Sequence, residues 1–379
     1  MPLLRTQSVI ATAGILLALV TSCRSPSSPP SAPLRPGSPS AATTGERPVL
    51  YPFVEEPIRT TSPEIAMGNL EAQMAQLERR WERGALTVGE GAGLVDLLAA
   101  HGQYTGRIAD HERALAVAED LAQASPDDAA ALLARARARA AFHRFTESLA
   151  DADRATALGA SAAAAANLRA AIYQAVGRLD EALVIRRANA ERNPSADNVG
   201  ALASVQAQRG VVDDAAQLFA EARWSYRDTS PFPLAYLYFD EGAMWMRHGH
   251  LERARALLQA ALHRVPSFAS ARCQLAEVEA ALGHTENAIA LLEPLAQTSD
   301  DPQAAAQLVE LLTAAGRSDE AAAWRQAAEQ RYDELVAAYP DAFAPHAAEF
   351  WLNAGGALWQ RSSLARYAPA PRRLARTSW

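Results

Sequence analysis

Few residues in this sequence have the types and spacing that chemistry requires. His248 and His250 flank one glycine and could together hold a copper or nickel ion, but they stand in a predicted turn, where solvated polar residues are ordinary. All 36 basic residues are arginine, so the chain lacks the lysine of a phosphate-binding loop and of a Schiff-base enzyme. The sequence also has no G-x-S-x-G elbow and no H-E-x-x-H pair. We therefore predict no catalytic residue, no metal and no cofactor.

The chain has two cysteines, Cys23 and Cys273, which are too few for a disulfide framework or a cysteine-based zinc site. Cys273 stands in an alanine-rich segment, and we expect it to be a small core residue. Cys23 stands instead where an apolar run ends and a segment rich in serine and proline begins.

The residues before Cys23 have the three-part layout of an export signal: Arg5 without an acid, an apolar run over 9–20, and two small residues. The run is too short to cross a bilayer as a helix, which takes about 20 residues. The order Val-Thr-Ser-Cys at 20–23 resembles the lipobox of bacterial lipoproteins. That resemblance implies a signal peptide over 1–22 and a lipid anchor, with its acyl chains, on Cys23. An ordinary cleaved signal peptide and a short uncleaved anchor are the alternatives.

Residues 23–62 predict a tether, because nine prolines among small polar residues cannot bury a core. Arg24 occupies the position where the sorting rules of bacterial lipoproteins read aspartate as a signal for the inner membrane. The resemblance therefore implies an exported protein anchored to the outer membrane and facing the periplasm.

The rest of the chain contains an internal repeat. The copies are GRLDEA (177–182), GVVDDA (210–215), GHLERA (249–254), GHTENA (283–288), GRSDEA (316–321) and the degenerate ADHERA (109–114) and HRFTES (143–148). Successive copies end 33 to 39 residues apart, and a small residue precedes the closing residue by twelve positions in six of them. This pattern resembles the tetratricopeptide repeat (TPR) family over 93–338, as seven repeats. An alanine-rich bundle without the repeat phase is the alternative.

The resemblance implies an all-α fold: a right-handed solenoid of helix hairpins, each with a first helix A and a second helix B. Such a stack needs caps at its ends. We expect an N-terminal capping helix over 63–84 and a C-terminal one over 339–358. Residues 359–379 carry five arginines and no acid, which indicates a solvated basic tail or an arm for anionic lipid headgroups.

In TPR proteins, helix A positions line a concave groove that binds partners. The resemblance places these partner-binding residues there: Arg107, Asn167, Gln174, Gln208, Tyr236, Phe239, Met246 and Arg247. Gln103, Glu277 and Glu310 fall at further groove positions. The longest interval between repeats lies in an aromatic-rich stretch over 223–246. These aromatics either shape a binding pocket, with Tyr236 and Phe239 exposed, or pack the junction, with Trp224, Tyr238 and Trp245 buried.

The sequence therefore predicts a membrane-anchored scaffold or assembly factor of the bacterial cell envelope, not an enzyme, whose partners are other envelope proteins or peptides. An accessory subunit whose aromatic pocket takes a small molecule or glycan is the alternative, and a cytosolic TPR adaptor is the third. We expect no nucleic-acid partner for an exported chain. A net charge of −7 is too mild to indicate a partner.

Overall fold

A computed structural model describes residues 58–353, which contain sixteen α-helices and no strand. The helices are α1 (Pro63–Trp81), α2 (Val88–Thr105), α3 (Ile108–Ala124), α4 (Ala129–Ala141), α5 (Phe145–Ala157), α6 (Ala162–Ala175), α7 (Leu179–Arg192), α8 (Ala196–Gln208), α9 (Val212–Ser225), α10 (Pro231–Arg247), α11 (Leu251–Arg264), α12 (Ala269–Ala281), α13 (Thr285–Thr298), α14 (Gln303–Ala314), α15 (Ser318–Ala338) and α16 (Pro340–Asn353). From α2 to α15 they pack as consecutive antiparallel hairpins. The predicted all-α repeat fold is confirmed.

Glycines in the repeat signature end helix A of their hairpins. Gly177, Gly210, Gly249, Gly283 and Gly316 have φ between 77° and 87°, the left-handed region where a side chain is unfavourable. His143 occupies the same place in the second hairpin with φ 57°, and it is the one non-glycine residue with positive φ in the described part of the chain. The turn after helix A therefore requires a residue that tolerates positive φ. This requirement occurs once in each hairpin, which explains the period of the signature.

Small residues let the helices of a hairpin approach closely. Ala136, Ala170 and Ala203 are completely buried in helices α4, α6 and α8. At Gly242, in α10, an added Cβ would lie 3.0 Å from the Leu258 Cγ of α11. These are the positions that the sequence predicts for contact between helix A and helix B.

The array curls until its first hairpin contacts its fifth and sixth. The Tyr104 hydroxyl of α2 donates a hydrogen bond to the Phe232 carbonyl oxygen at 3.1 Å. The Asp300 carboxylate, before α14, accepts hydrogen bonds from the backbone N–H groups of Ile108 at 2.5 Å and Ala109 at 2.9 Å. An acceptor almost two hundred residues away thus caps the N-terminus of α3, where the local N-cap side chain makes no hydrogen bond.

The C-terminal helices close against the second hairpin. Phe142 stacks on Tyr339 with ring centroids 4.1 Å apart, and the His143 Nδ1 lies 3.1 Å from the Asp341 carbonyl oxygen. Leu335 of α15 is buried with Leu94 of α2 in one apolar cluster. The two ends of the array therefore share a core, which the sequence did not predict.

The last residues of the predicted linker, 58–62, contact the folded body and are not a free tether. The Thr61 N–H donates to the Thr229 carbonyl oxygen at 2.7 Å, and the Arg264 guanidinium donates to the Ile58 carbonyl oxygen at 2.6 Å. Ile58 also packs against the largest apolar cluster, so residues 58–62 belong to the folded body. The helices at the two predicted cap positions are α1, which ends at Trp81, and α16, which begins at Pro340.

The predicted signal peptide, Cys23, the linker up to residue 57 and the basic tail lie outside the described residues. Between residues 58 and 353, no helix combines the length and the apolar character that crossing a membrane requires.

Candidate functional site

Two predicted groove residues, Asn167 and Gln174, hold a buried arginine. The Arg186 guanidinium of α7 donates to the Asn167 Oδ1 and the Gln174 Oε1, both at 3.2 Å, and the Asn189 amide also donates to the Asn167 Oδ1. Arg186 is only 3% exposed. Burial lowers its pKa to about 10, and it forms no ion pair with a described carboxylate. Asn167 and Gln174 therefore orient a neighbouring cation.

Four predicted groove residues belong to the fifth hairpin, and one of them, Phe239, is buried in the core. Phe239 is 2% exposed and packs on Phe268 with centroids 4.9 Å apart. The expectation that Phe239 lines an open groove is wrong, because Phe268, the residue before α12, packs against it. Tyr236 is half-buried beside Phe239, with centroids 5.8 Å apart. Met246 is half-buried and Arg247 is exposed near the end of α10.

Arg107 lies in a turn and Gln208 lies at the end of a helix. Arg107 is the residue before α3, in the turn after α2, and its exposed side chain lies 3.7 Å from the Asp110 carboxylate. It thus occupies a turn and not the helix A position predicted for it. Gln208, the last residue of α8, is half-buried.

The aromatic stretch mainly packs the junction between the fourth and fifth hairpins. Tyr238 and Trp245 are buried, as the packing interpretation predicts, but Trp224 is 62% exposed at the end of α9. His250 contacts the edge of Trp245 at a centroid distance of 5.1 Å. Among the described residues no group of histidine, cysteine and carboxylate side chains is arranged to hold a metal ion.

A cavity of about 170 Å³ lies where the ends of the array meet. Its polar walls come from Gln103 of α2, His111 of α3, Gln274 and Glu277 of α12, and Asp301 before α14. Its apolar walls come from Phe142, Leu295, Tyr332 and Phe343. The sequence places Gln103 and Glu277 on the concave face, but no sequence signal brings repeats one, two, six and seven together. We call this space the seam cavity.

Hydrogen-bonding groups of the seam cavity lack partners. Gln103 and Gln274 are 8% and 7% exposed, and the Oε1 of each accepts no hydrogen bond from the described chain. The Nδ1 of His111, a residue 8% exposed, is likewise without a partner. Buried polar atoms in folded proteins are nearly always paired with protein or with a bound molecule. These atoms belong to residues that line the seam cavity, where a bound hydrogen-bond donor would satisfy them.

The residues that line the seam cavity carry a net negative charge. Burial, followed by the charges of Glu310 and Glu349, raises the pKa of Glu277 to about 7, although its side chain still reaches solvent. Burial raises the pKa of Asp301 to about 6. Burial lowers the pKa of His111 to about 4, so that imidazole is neutral at pH 7. Burial thus destabilises the carboxylate anions of Glu277 and Asp301. A cation bound in the cavity would stabilise both anions.

Cys273 also lines the seam cavity, and it is 3% exposed. Burial raises the pKa of its thiol well above the ordinary value. The thiol therefore stays protonated at neutral pH, which suits a packing residue and not a nucleophile.

No protein-family model matches this chain, and no curated protein matches it in sequence. Several solved structures match it in three dimensions. Human IFIT1, in a dimer with m7Gppp-AAAA, matches with a TM-score of 0.50 and 15% identity over 78% of this chain and 69% of that one. A TPR protein from Parabacteroides merdae gives a TM-score of 0.44 and 15% identity over 60% of this chain and 93% of that one.

A chain of the APC/C hetero-tetramer Cut9-Hcn1 gives a TM-score of 0.48 and 15% identity over 75% of this chain. The match spans about half of that protein, 52% of its length. At such low identities the similarity concerns the fold alone. The match to IFIT1 at a TM-score of 0.50, together with the repeating hairpins whose first helix ends at a glycine, shows that the described chain is an all-α solenoid of the tetratricopeptide-repeat type.

Proposed function

We propose that this protein is a lipid-anchored scaffold of the bacterial cell envelope that binds segments of other proteins on the concave face of its array. One observation carries the proposal. Polar side chains from hairpins far apart in sequence converge on the seam cavity, where Gln103 and Gln274 keep unpaired acceptors and Glu277 keeps an exposed carboxylate. A core position would not retain such groups, whereas a binding surface needs them.

Protein is a better partner for this face than nucleic acid. Glu277 lies close enough to Glu310 and Glu349 for their charges to raise its pKa. These carboxylates would repel phosphate groups, whose binding depends on lysine and arginine. The aromatic-pocket alternative loses support, because Phe239, Tyr238 and Trp245 fill the core.

Photo-cross-linking in the native host tests the binding face. A benzophenone amino acid at Gln208 or Met246, both half-buried at or near the end of helix A of their hairpins, should capture protein adducts that mass spectrometry identifies. The control position is Val184, which is 70% exposed on helix B of its hairpin. Equal adducts from Val184 would contradict a concave binding face.

The anchor is tested separately by comparing the native chain with Cys23→Ser. We expect a mature species that begins at Cys23, carries acyl mass and sediments with membranes. Cys23→Ser should lose both the mass and the sedimentation. A soluble native product without acyl mass would overturn the anchoring part of the proposal and leave the binding part intact.

A further inference from the structure

The seam cavity combines three properties that point to one class of ligand. It has buried acceptors without a partner in the described chain at the Gln103 Oε1 and the Gln274 Oε1, and apolar walls that include Phe142 and Phe343. It also has an exposed carboxylate at Glu277, whose Oε1 accepts a hydrogen bond from the Gln307 amide. Its volume of about 170 Å³ could hold on the order of ten water molecules, which is more than isolated bridging waters need. A ligand of side-chain size fits this space.

The charge balance excludes an anion and favours a cation. No arginine lines the cavity, and the chain has no lysine. The charge of Arg331 acts on Asp301, but its guanidinium already donates a hydrogen bond to the Asp300 carboxylate at 3.2 Å. Because His111 is neutral at pH 7, the net charge of the lining is negative. Water could satisfy the amide oxygens but could not balance this charge.

We propose that the seam cavity binds the guanidinium group of an arginine side chain from a partner segment. The proposal rests on the proposed function, since it assigns the chemistry by which a partner would be recognised. A guanidinium offers five N–H donors in one plane, enough for both amide oxygens and the Glu277 carboxylate together. The three methylene groups of arginine would lie along the apolar walls.

Binding is expected to depend on pH through Glu277. The titratable groups that line the cavity or act on Glu277 are His111, His143, Cys273, Asp301, Glu310, Tyr332, His346 and Glu349. A bound guanidinium stabilises the Glu277 anion and so lowers its pKa, which releases protons near pH 7. Affinity should therefore decrease as the pH falls from 8 to 5.5.

The test is calorimetric titration of the full chain with the blocked tripeptide acetyl-Gly-Arg-Gly-amide. The same peptide with citrulline in place of arginine keeps the shape and removes the charge. We expect the arginine peptide to bind roughly ten- to a hundredfold more tightly than the citrulline peptide, the effect of one charge-assisted hydrogen bond. Equal affinities, or no binding of either peptide, would overturn the proposal.

Two variants locate the site. Glu277→Gln should weaken arginine-peptide binding roughly tenfold or more and should suppress the proton release. Glu191→Gln, an exposed carboxylate of α7 outside the cavity, is the matched control and should leave binding unchanged. If Glu277→Gln and Glu191→Gln both bind the arginine peptide as tightly as the native chain does, the seam cavity is not the binding site. Circular dichroism of Glu277→Gln separates loss of binding from loss of folding.

A further experiment distinguishes a guanidinium of a partner segment from one of the chain's own C-terminal tail. The chain's own tail has arginines, at 361, 366, 372, 373 and 376, which could compete with a partner. If the peptide binds only after these five are changed to glutamine, the occupant is the tail and the partner assignment is wrong. If the photo-cross-links form but the arginine peptide does not bind, the scaffold function stands and the guanidinium site fails. If the arginine peptide binds but no concave cross-links form, the guanidinium site stands and the scaffold function fails.

Discussion

Asp300→Ala tests the closure of the array at its seam. The Asp300 carboxylate accepts hydrogen bonds from Ile108 N–H at 2.5 Å and Ala109 N–H at 2.9 Å, and from the Arg331 guanidinium at 3.2 Å. The alanine variant leaves two N-terminal amides of α3 without acceptors. Loss of a helix N-cap costs about 0.5–2 kcal/mol, and the half-buried position favours the upper part of that range. We expect the free energy of unfolding to fall by about 2 kcal/mol.

Asp128→Ala is the matched control for this prediction. Asp128 caps α4 locally, because its carboxylate accepts from Ala130 N–H at 2.8 Å and Ala131 N–H at 3.0 Å. Both substitutions remove a cap, but only Asp300 joins distant parts of the array. Both variants should therefore lose stability in urea titrations, whereas only Asp300→Ala should increase the radius of gyration in X-ray scattering.

Hydrogen exchange provides the decisive comparison. In Asp300→Ala the amides of Ile108 and Ala109 should exchange faster than in the native chain, and in Asp128→Ala they should not. Repeat arrays often unfold in parts, so these local rates are more informative than one global unfolding midpoint. Unchanged exchange and unchanged radius in Asp300→Ala would refute the reasoning that the seam is closed by this carboxylate.

Three further predictions concern stability. Arg223→Met should lower the free energy of unfolding by about 3–5 kcal/mol, because the variant leaves the fully buried Glu241 without its main partner. Urea titration measures the loss of stability, and a loss below about 1 kcal/mol would contradict the prediction. The pKa of Glu277 is raised from 4.5 to about 7, so the folded state holds its proton more tightly and stability should decrease as the pH rises from about 4.5 to about 7. In Glu277→Gln the melting temperature should therefore fall less between pH 5 and pH 8 than in the native chain. Gly283→Ala should cost about 1–2 kcal/mol at its φ of 87°, whereas Gly93→Ala, within a helix and with no atom within 4 Å of the added Cβ, should be neutral or stabilising by up to about 1 kcal/mol.

The sequence predicts the local parts of this fold well, because they depend on residues close together in the chain. A glycine such as Gly283 is needed at positive φ whatever surrounds the hairpin, and a small residue such as Ala203 is needed wherever helix B crosses helix A. Such requirements recur once per repeat and leave a period in the sequence. The all-α solenoid could therefore be predicted from one chain.

The seam could not be predicted in the same way, because it depends on curvature accumulated over the whole stack. A small rotation per hairpin decides whether Tyr104 meets Phe232, and no local pattern records that sum. The error at Phe239 arises at the contact with the next hairpin, where Phe268 packs against a side chain that an open groove would expose. Arg107 was misplaced for a local reason, since α2 ends at Thr105 and leaves it in the turn.

The seam and its cavity share residues, which links the shape of the array to its recognition chemistry. Gly106 lines the cavity and has φ of 68°, and an added Cβ there would lie 2.7 Å from the Ser299 Oγ. Its carbonyl oxygen accepts a hydrogen bond from the Asp301 N–H at 3.2 Å, so the backbone that closes the array also places an acidic wall of the cavity. A change that opens the seam must therefore separate Gln103 from Gln274, since they lie on opposite sides of it. Asp300 does not line the cavity, yet Asp300→Ala should weaken the arginine peptide as well as the fold, and Asp128→Ala should weaken the fold alone.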